Sequence, residues 1–319
     1  MFKTIVVPLD GSAESNVALP LARAMAQSTG GAIWLLRVAP TSAFTFTEDH
    51  TRTHEAAQSI ERIAEELASG GIEVHPVTRE GYATEEILHL SGETAADAIV
   101  MRTHGRAGLE RAVFGSVAEE VLKMTAVPLA LVRPGGRRVS HIHKLLVPVD
   151  GSPGGSVALQ TAVDIAKTTA ASISVVQVVV PVPTLAYMAP YDYSGAAFYD
   201  PGWDHDALVA ARTYVDAIAA RLRGLGLSAH AEARFAPDIA GAIVDAAEQA
   251  NTDLIVMSTH ALTGPARAVL GSVANAVMRT SPCPVVLVKR AHRGQALSTT
   301  RFSESRSREP AIYRPQPTQ

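Results

Sequence analysis

The chain has 319 residues, of which 47% are apolar and 18% charged, with a formal net charge of -3. That length is enough for two ordinary domains, and the near-neutral balance gives no global case for nucleic acid or an anionic membrane as partner. A single cysteine, Cys283, rules out an intramolecular disulfide, and no apolar run approaches the roughly 20 residues that span a bilayer.

Pro8 and Asp10 interrupt the first apolar stretch, so a secretory leader is not expected and a cytoplasmic protein is. Ile5 to Leu9 is a short β-branched run, read as a buried strand that Asp10 ends. Ser12 is expected to cap a helix through about Ser28. Gly30-Gly31 breaks the chain, and Ile33 to Val38 is the second strand. Ala39 to His54 reads as a polar loop. Glu55 to Ser69 carries Ala56, Ile60, Ile63, Ala64 and Leu67 on one helical face. Val74 to Thr78 is a weaker strand, because Pro76 falls inside it. Thr84 to Thr94 is a helix, Ala98 to Met101 a strand, and Val127 to Val132 the last strand of this half.

Between the last two strands lies MRTHGRAGLERAVFGS, Met101 to Ser116. Small residues at Gly105 and Gly115-Ser116, followed by a helix, suit a phosphate cradle: backbone N–H groups can approach an anion at a helix N-terminus. Ser116-Val-Ala-Glu119 has capping-box spacing, which explains Ser116 without any ligand.

A second copy follows. Lys144 opens LLVPVDGS, matching the first strand, and Met257 to Ser272, MSTHALTGPARAVLGS, matches the glycine stretch. Asp10 and Asp150 lie 140 positions apart, whereas Gly115 and Gly271 lie 156 apart. A net insertion of 16 residues therefore sits in the second copy, placed between Pro181 and Asp206. Order and spacing match at both ends of each half, which reads as a duplication. The expected domains are 1–133 and 144–290, with a Pro/Gly/Arg linker at 134–143 and a disordered tail at 291–319. Alternating strands and helices predict two tandem, doubly wound, parallel five-stranded α/β sheets of Rossmann-like type. Ligands in this architecture bind at the strand C-terminal ends, near the switch point.

These motifs resemble the universal stress protein family in its tandem two-domain form. The carrying residues are Val-Pro-Leu-Asp10-Gly-Ser, Met-Arg-Thr-His-Gly105, Gly115-Ser-Val-Ala-Glu and their second copies. The resemblance implies an adenine nucleotide alpha-hydrolase-like fold and a stress-response regulator that binds ATP, with or without Mg, in its N-terminal half. It implies Pro8, Asp10, Val38, Met101, Arg102, Gly105, Gly115, Ser116 and Val117 as binding residues. The counterparts are Asp150, Val178, Ala261, Gly271, Ser272 and Val273, with binding there weaker or absent. It also implies that the last strands pair the halves as an internal pseudo-dimer, or pair chains as a homo-oligomer, with any regulatory protein partner left unknown. The family's nucleotide-binding motif has three glycines; here the first falls on Arg102, and in the second copy the first two fall on Ser258 and Ala261.

Two readings of Arg102 stay open. Its side chain blocks the approach that glycine allows, or its guanidinium reaches a phosphate. Arg106 and Arg111 add positive charge nearby. His104 and His260 read as loop histidines without further metal ligands, and Cys283 as a structural thiol. No nucleophile elbow and no Gly-Lys-Ser/Thr signature is present. No catalytic residue is assigned, so hydrolysis is expected to be slow or absent. The alternative is a nucleotide-independent dimerising scaffold whose insertion or tail recruits a partner.

Overall fold

The computed structural model describes residues 2–39, 46–103, 115–152, 156–181, 201–259 and 271–289. The first half runs β1 (Thr4–Pro8), a 3-10 turn (Ser15–Ala18), α1 (Leu19–Thr29), β2 (Ala32–Ala39), α2 (Phe46–Ser69), β3 (Glu73–Glu80), α3 (Ala83–Glu93), β4 (Ala98–Arg102), α4 (Ser116–Met124) and β5 (Leu129–Val132). The second half runs β6 (Lys144–Val149), α5 (Ser156–Thr169), β7 (Ser172–Val179), α6 (Pro201–Gly224), β8 (Ala229–Phe235), α7 (Ile239–Gln249), β9 (Leu254–Thr259), α8 (Ser272–Thr280) and β10 (Val285–Lys289).

The ten strands form one sheet in the order β3-β2-β1-β4-β5-β10-β9-β6-β7-β8. Pairing is parallel within each half. At the centre β5 and β10 pair antiparallel, with Leu131 opposite Val285 and Ala130 opposite Val286. The two expected five-stranded sheets are therefore joined edge to edge. Each apolar last strand would be an open edge alone, and each covers the other.

Helices cover both faces, as a buried parallel sheet requires. Leu21 and Met25 of α1, Ile60 and Leu67 of α2, Val163 of α5 and Val215 of α6 pack into one core. Ile87 of α3, Val121 of α4, Ile243 of α7 and Val277 of α8 pack into the other. Residues 134–143 are more than a tether. Val139 and Ile142 are buried in the first of these cores, and Arg137 bonds the carbonyls of Pro282 and Thr252.

Several local expectations need correction. The helix expected after Ser12 begins as the 3-10 turn, because Pro20 has no N–H to give the Asn16 carbonyl; Leu19 N–H takes that place. Residues 46–54, expected as loop, extend α2 by more than two turns. Extension needs no apolar face once a helix is nucleated. Residues 201–206 of the expected insertion likewise begin α6, with Pro201 in the position proline favours. β3 is longer than expected and keeps Pro76, since it is an edge strand bonded on one side. The expected capping box is not formed. Gly115 is the cap residue of α4, Ser116 lies inside the helix, and the Glu119 carboxylate pairs with Lys123 at 2.6 Å. The remainder of the insertion, residues 182–200, and the tail lie outside the described residues.

Candidate functional site

In the first half, strand order reverses between β1 and β4. Their C-terminal ends diverge there and leave a crevice. β1 delivers Asp10 to its rim. Gly11 follows with φ +74, a left-handed conformation that frees the chain to turn back sharply. The turn is closed by the Asp10 carboxylate, which accepts from Ser12 N–H at 2.9 Å and Ser12 Oγ at 2.5 Å. Ser12 Oγ in turn accepts from Ser15 N–H at 3.1 Å, starting the 3-10 turn. Burial pushes the Asp10 carboxyl up. The bonds from Ser12 and Ser15 and the nearby Arg102 charge outweigh it, so its pKa falls below the ordinary value.

The crevice opens into a cavity of about 400 Å³. Leu36, Val38, Ile87 and Met101 contribute apolar groups to its lining, and Asp10, Ser15, Arg37, Arg102, Thr103 and Ser116 polar ones. The N-terminus of α4 forms part of the wall through Gly115, Ser116 and Val117. Gly115 at the cap position has no side chain to bond the first N–H groups of this helix, and a helix N-terminus of this kind suits an anion. Gly115 N–H bonds the Thr103 carbonyl at 2.6 Å, which fixes where the helix begins relative to β4.

The structure thus gathers Pro8, Asp10, Val38, Met101, Arg102, Gly115, Ser116 and Val117 around one cavity. Gly105, with His104, Arg106 and Arg111, lies outside the described residues. Sequence reasoning missed Arg37, Thr103, Ala83 and Ile87, which also line it. Arg37 carried a usable signal, being the charge inside the apolar run of β2. Its guanidinium donates to the Leu9 carbonyl at 3.3 Å and lies over Gly11, where an added Cβ would come within 2.8 Å of it.

Arg102 is buried, and its guanidinium binds Glu14 Oε2 at 2.8 Å and Ser12 Oγ at 3.3 Å. Among the described lining residues there is no lysine. No three His, Cys, Asp or Glu side chains among the described residues converge as metal ligands.

The second half repeats the frame. Gly151 has φ +75, and Asp150 accepts from Ser152 N–H and Oγ at 2.9 and 2.5 Å. Val178 lies in β7, Gly271 caps α8, and Ser272 and Val273 begin it. Ala261 and His260 lie outside the described residues. The charges differ, however. Gln177 replaces Arg37 and lies over Gly151, and Ser258 replaces Arg102. Cys283 lies apart from both sites at the foot of β10, where burial pushes its thiol up to about 11. That is the inert thiol expected from sequence.

Comparison with known proteins agrees with this frame. The sequence model of the universal stress protein family matches residues 1–133 and 141–289. A universal stress protein of Methanocaldococcus jannaschii is 31% identical over 144 residues, covering 42% of this chain and 83% of its own. One from Mycolicibacterium smegmatis is 24% identical over 298 residues, covering 89% of this chain and 96% of its own. The crystal structure of a universal stress protein from Archaeoglobus fulgidus superposes with a TM-score of 0.67 at 22% identity, covering 91% of this chain and all of that one. With one family match in each half and one continuous sheet between them, the chain belongs to the universal stress protein family.

Proposed function

We propose that the N-terminal half binds ATP or a related adenine nucleotide, with slow or no hydrolysis, and that binding sets conformation or partner choice during a stress response in the cytoplasm. The observation that carries this reading is the cavity at the first switch point, which is lined by both apolar and polar residues. Its volume of about 400 Å³ lies within the usual range for small-ligand sites. The apolar lining residues Leu36, Val38, Ile87 and Met101 suit a flat base. Arg102, Thr103, Ser116 and the N-terminus of α4 suit phosphates. The family resemblance adds Gly105, which lies outside the described residues, as a further phosphate-binding residue. Magnesium carried on the phosphates would need only one or two protein carboxylates. Asp10 lines the cavity with its charged form favoured.

The described lining supports the reading of slow or absent turnover. It offers no lysine among the described residues to clamp a terminal phosphate. The second half keeps the turn and the helix start but lacks both arginines, so it binds more weakly or not at all. Since β5 and β10 cover each other, association of two chains would use a different surface.

Mass spectrometry of small molecules released from freshly purified protein tests the reading. Release of an adenine nucleotide, abolished by Gly105→Glu and retained in Ala261→Glu, is the expected result. No adenine compound released, together with no binding of added ATP at millimolar concentration, would overturn it.

A further inference from the structure

Arg102 is a buried cation at the end of β4, and the structure shows how the chain keeps it there. Its side chain is 7% exposed, while that of its ion-pair partner Glu14 is 68% exposed. The two members are thus unequally committed. The guanidinium lines the cavity and needs a counter-charge, because a buried cation left alone is costly. The Glu14 carboxylate lies outside the lining and returns to water at little cost. Ser12 links the pair to Asp10: it receives Arg102 Nη1 at 3.3 Å and donates to the Asp10 carboxylate at 2.5 Å. Arg102 is therefore held in the lining of the cavity that Gly115 and Ser116 at the start of α4 also line. The internal repeat supplies a second observation. Where the second half has Ser258 for Arg102, it has Gly154 for Glu14, while Asp150 and Ser152 remain. The cation and its counter-ion are present together in one half and absent together from the other.

We propose that Arg102 binds the phosphates of the nucleotide and that Glu14 is its resident counter-ion, displaced when the nucleotide enters. The site then discriminates by charge. A nucleoside cannot replace Glu14, whereas a polyphosphate offers the guanidinium a bidentate partner. This deepens the nucleotide reading above and rests on it.

The test is a double-mutant cycle on the full chain with Glu14→Gln, Arg102→Met and both together, titrated with ATP and with adenosine. Glu14 is on the surface, so Glu14→Gln reads out whether or not the buried Arg102→Met variant folds well; thermal melts report on that variant. Glu14→Gln is expected to tighten ATP about two- to fivefold by removing a competitor. Arg102→Met is expected to weaken ATP about tenfold or more by removing a charged donor. Adenosine affinity changes in neither, and Glu14→Gln loses its effect in the Arg102→Met background. If the wild type binds ATP but Glu14→Gln leaves it unchanged or weaker, or Arg102→Met binds it equally or more tightly, the proposal falls and the nucleotide reading stands. If neither ATP nor adenosine binds any variant, both fall.

Discussion

The turn that presents Asp10 makes a quantitative prediction through Ser12→Ala. Three bonds end on the Ser12 hydroxyl: to Asp10 Oδ1 at 2.5 Å, from Ser15 N–H at 3.1 Å and from Arg102 Nη1 at 3.3 Å. A hydrogen bond to a charged group is worth about 1.5–3 kcal/mol net and a neutral one about 1 kcal/mol. The turn is only part-buried, so water replaces some of what is lost. The expected cost is about 2 kcal/mol, or roughly 4 °C in melting temperature. The pH dependence has a definite sign. The Asp10 pKa is depressed in the folded state below its ordinary 3.8. Its contribution is therefore fully present above that value and is lost as pH falls through the folded pKa. Ser12→Ala removes one cause of the depression, so the gap between wild type and variant narrows on the acid side of about pH 4. Urea denaturation across that range is the assay. A cost below about 0.5 kcal/mol, or a gap constant through the acid limb, refutes the reasoning.

Other expected outcomes follow from particular contacts. Gly31→Ala should cost more than about 2 kcal/mol in a urea melt, because its Cβ would lie 2.6 Å from the Phe2 carbonyl oxygen, a backbone atom that cannot swing aside. Val286→Asp should cost about 3–5 kcal/mol by burying an unpaired charge at the β5–β10 seam. Because that seam belongs to both halves, the fluorescence of Trp34 in the first half should report the loss too; an unchanged Trp34 transition would show that the halves are uncoupled. Cys283, with its thiol pushed up to about 11 and buried, should resist a thiol reagent at pH 8 in native protein and react on unfolding. Rapid native labelling would contradict its placement.

The strands were readable because their apolar runs are bounded by Asp, Gly and Pro, and a strand buried on both faces needs little else. The duplicated Asp-Gly-Ser turn was readable for a similar reason, since its bonds run between residues two apart. Helix starts were less so. Ser116 and Glu119 have the spacing of a capping box, but Gly115 N–H is held by the Thr103 carbonyl, and this moves the cap to Gly115. The start of α2 was missed because residues 46–54 show no apolar stripe, the feature that identified the rest of that helix. The nature of Arg102 was undecidable from its own neighbourhood in the sequence. Its partner Glu14 comes from the turn after β1, and only the β1–β4 pairing brings the two together. Arg37 did carry a signal, as the charge within the apolar run of β2, but its position over Gly11 shows only in the structure.

Isothermal titration of the full-length chain with ATP tests the central claim most directly, because it reads both affinity and the number of sites. The account predicts about one strong site per chain, lost on Gly105→Glu and retained on Ala261→Glu, since the charged lining belongs to the first half. Two equal sites, or no heat up to millimolar ATP, would contradict it.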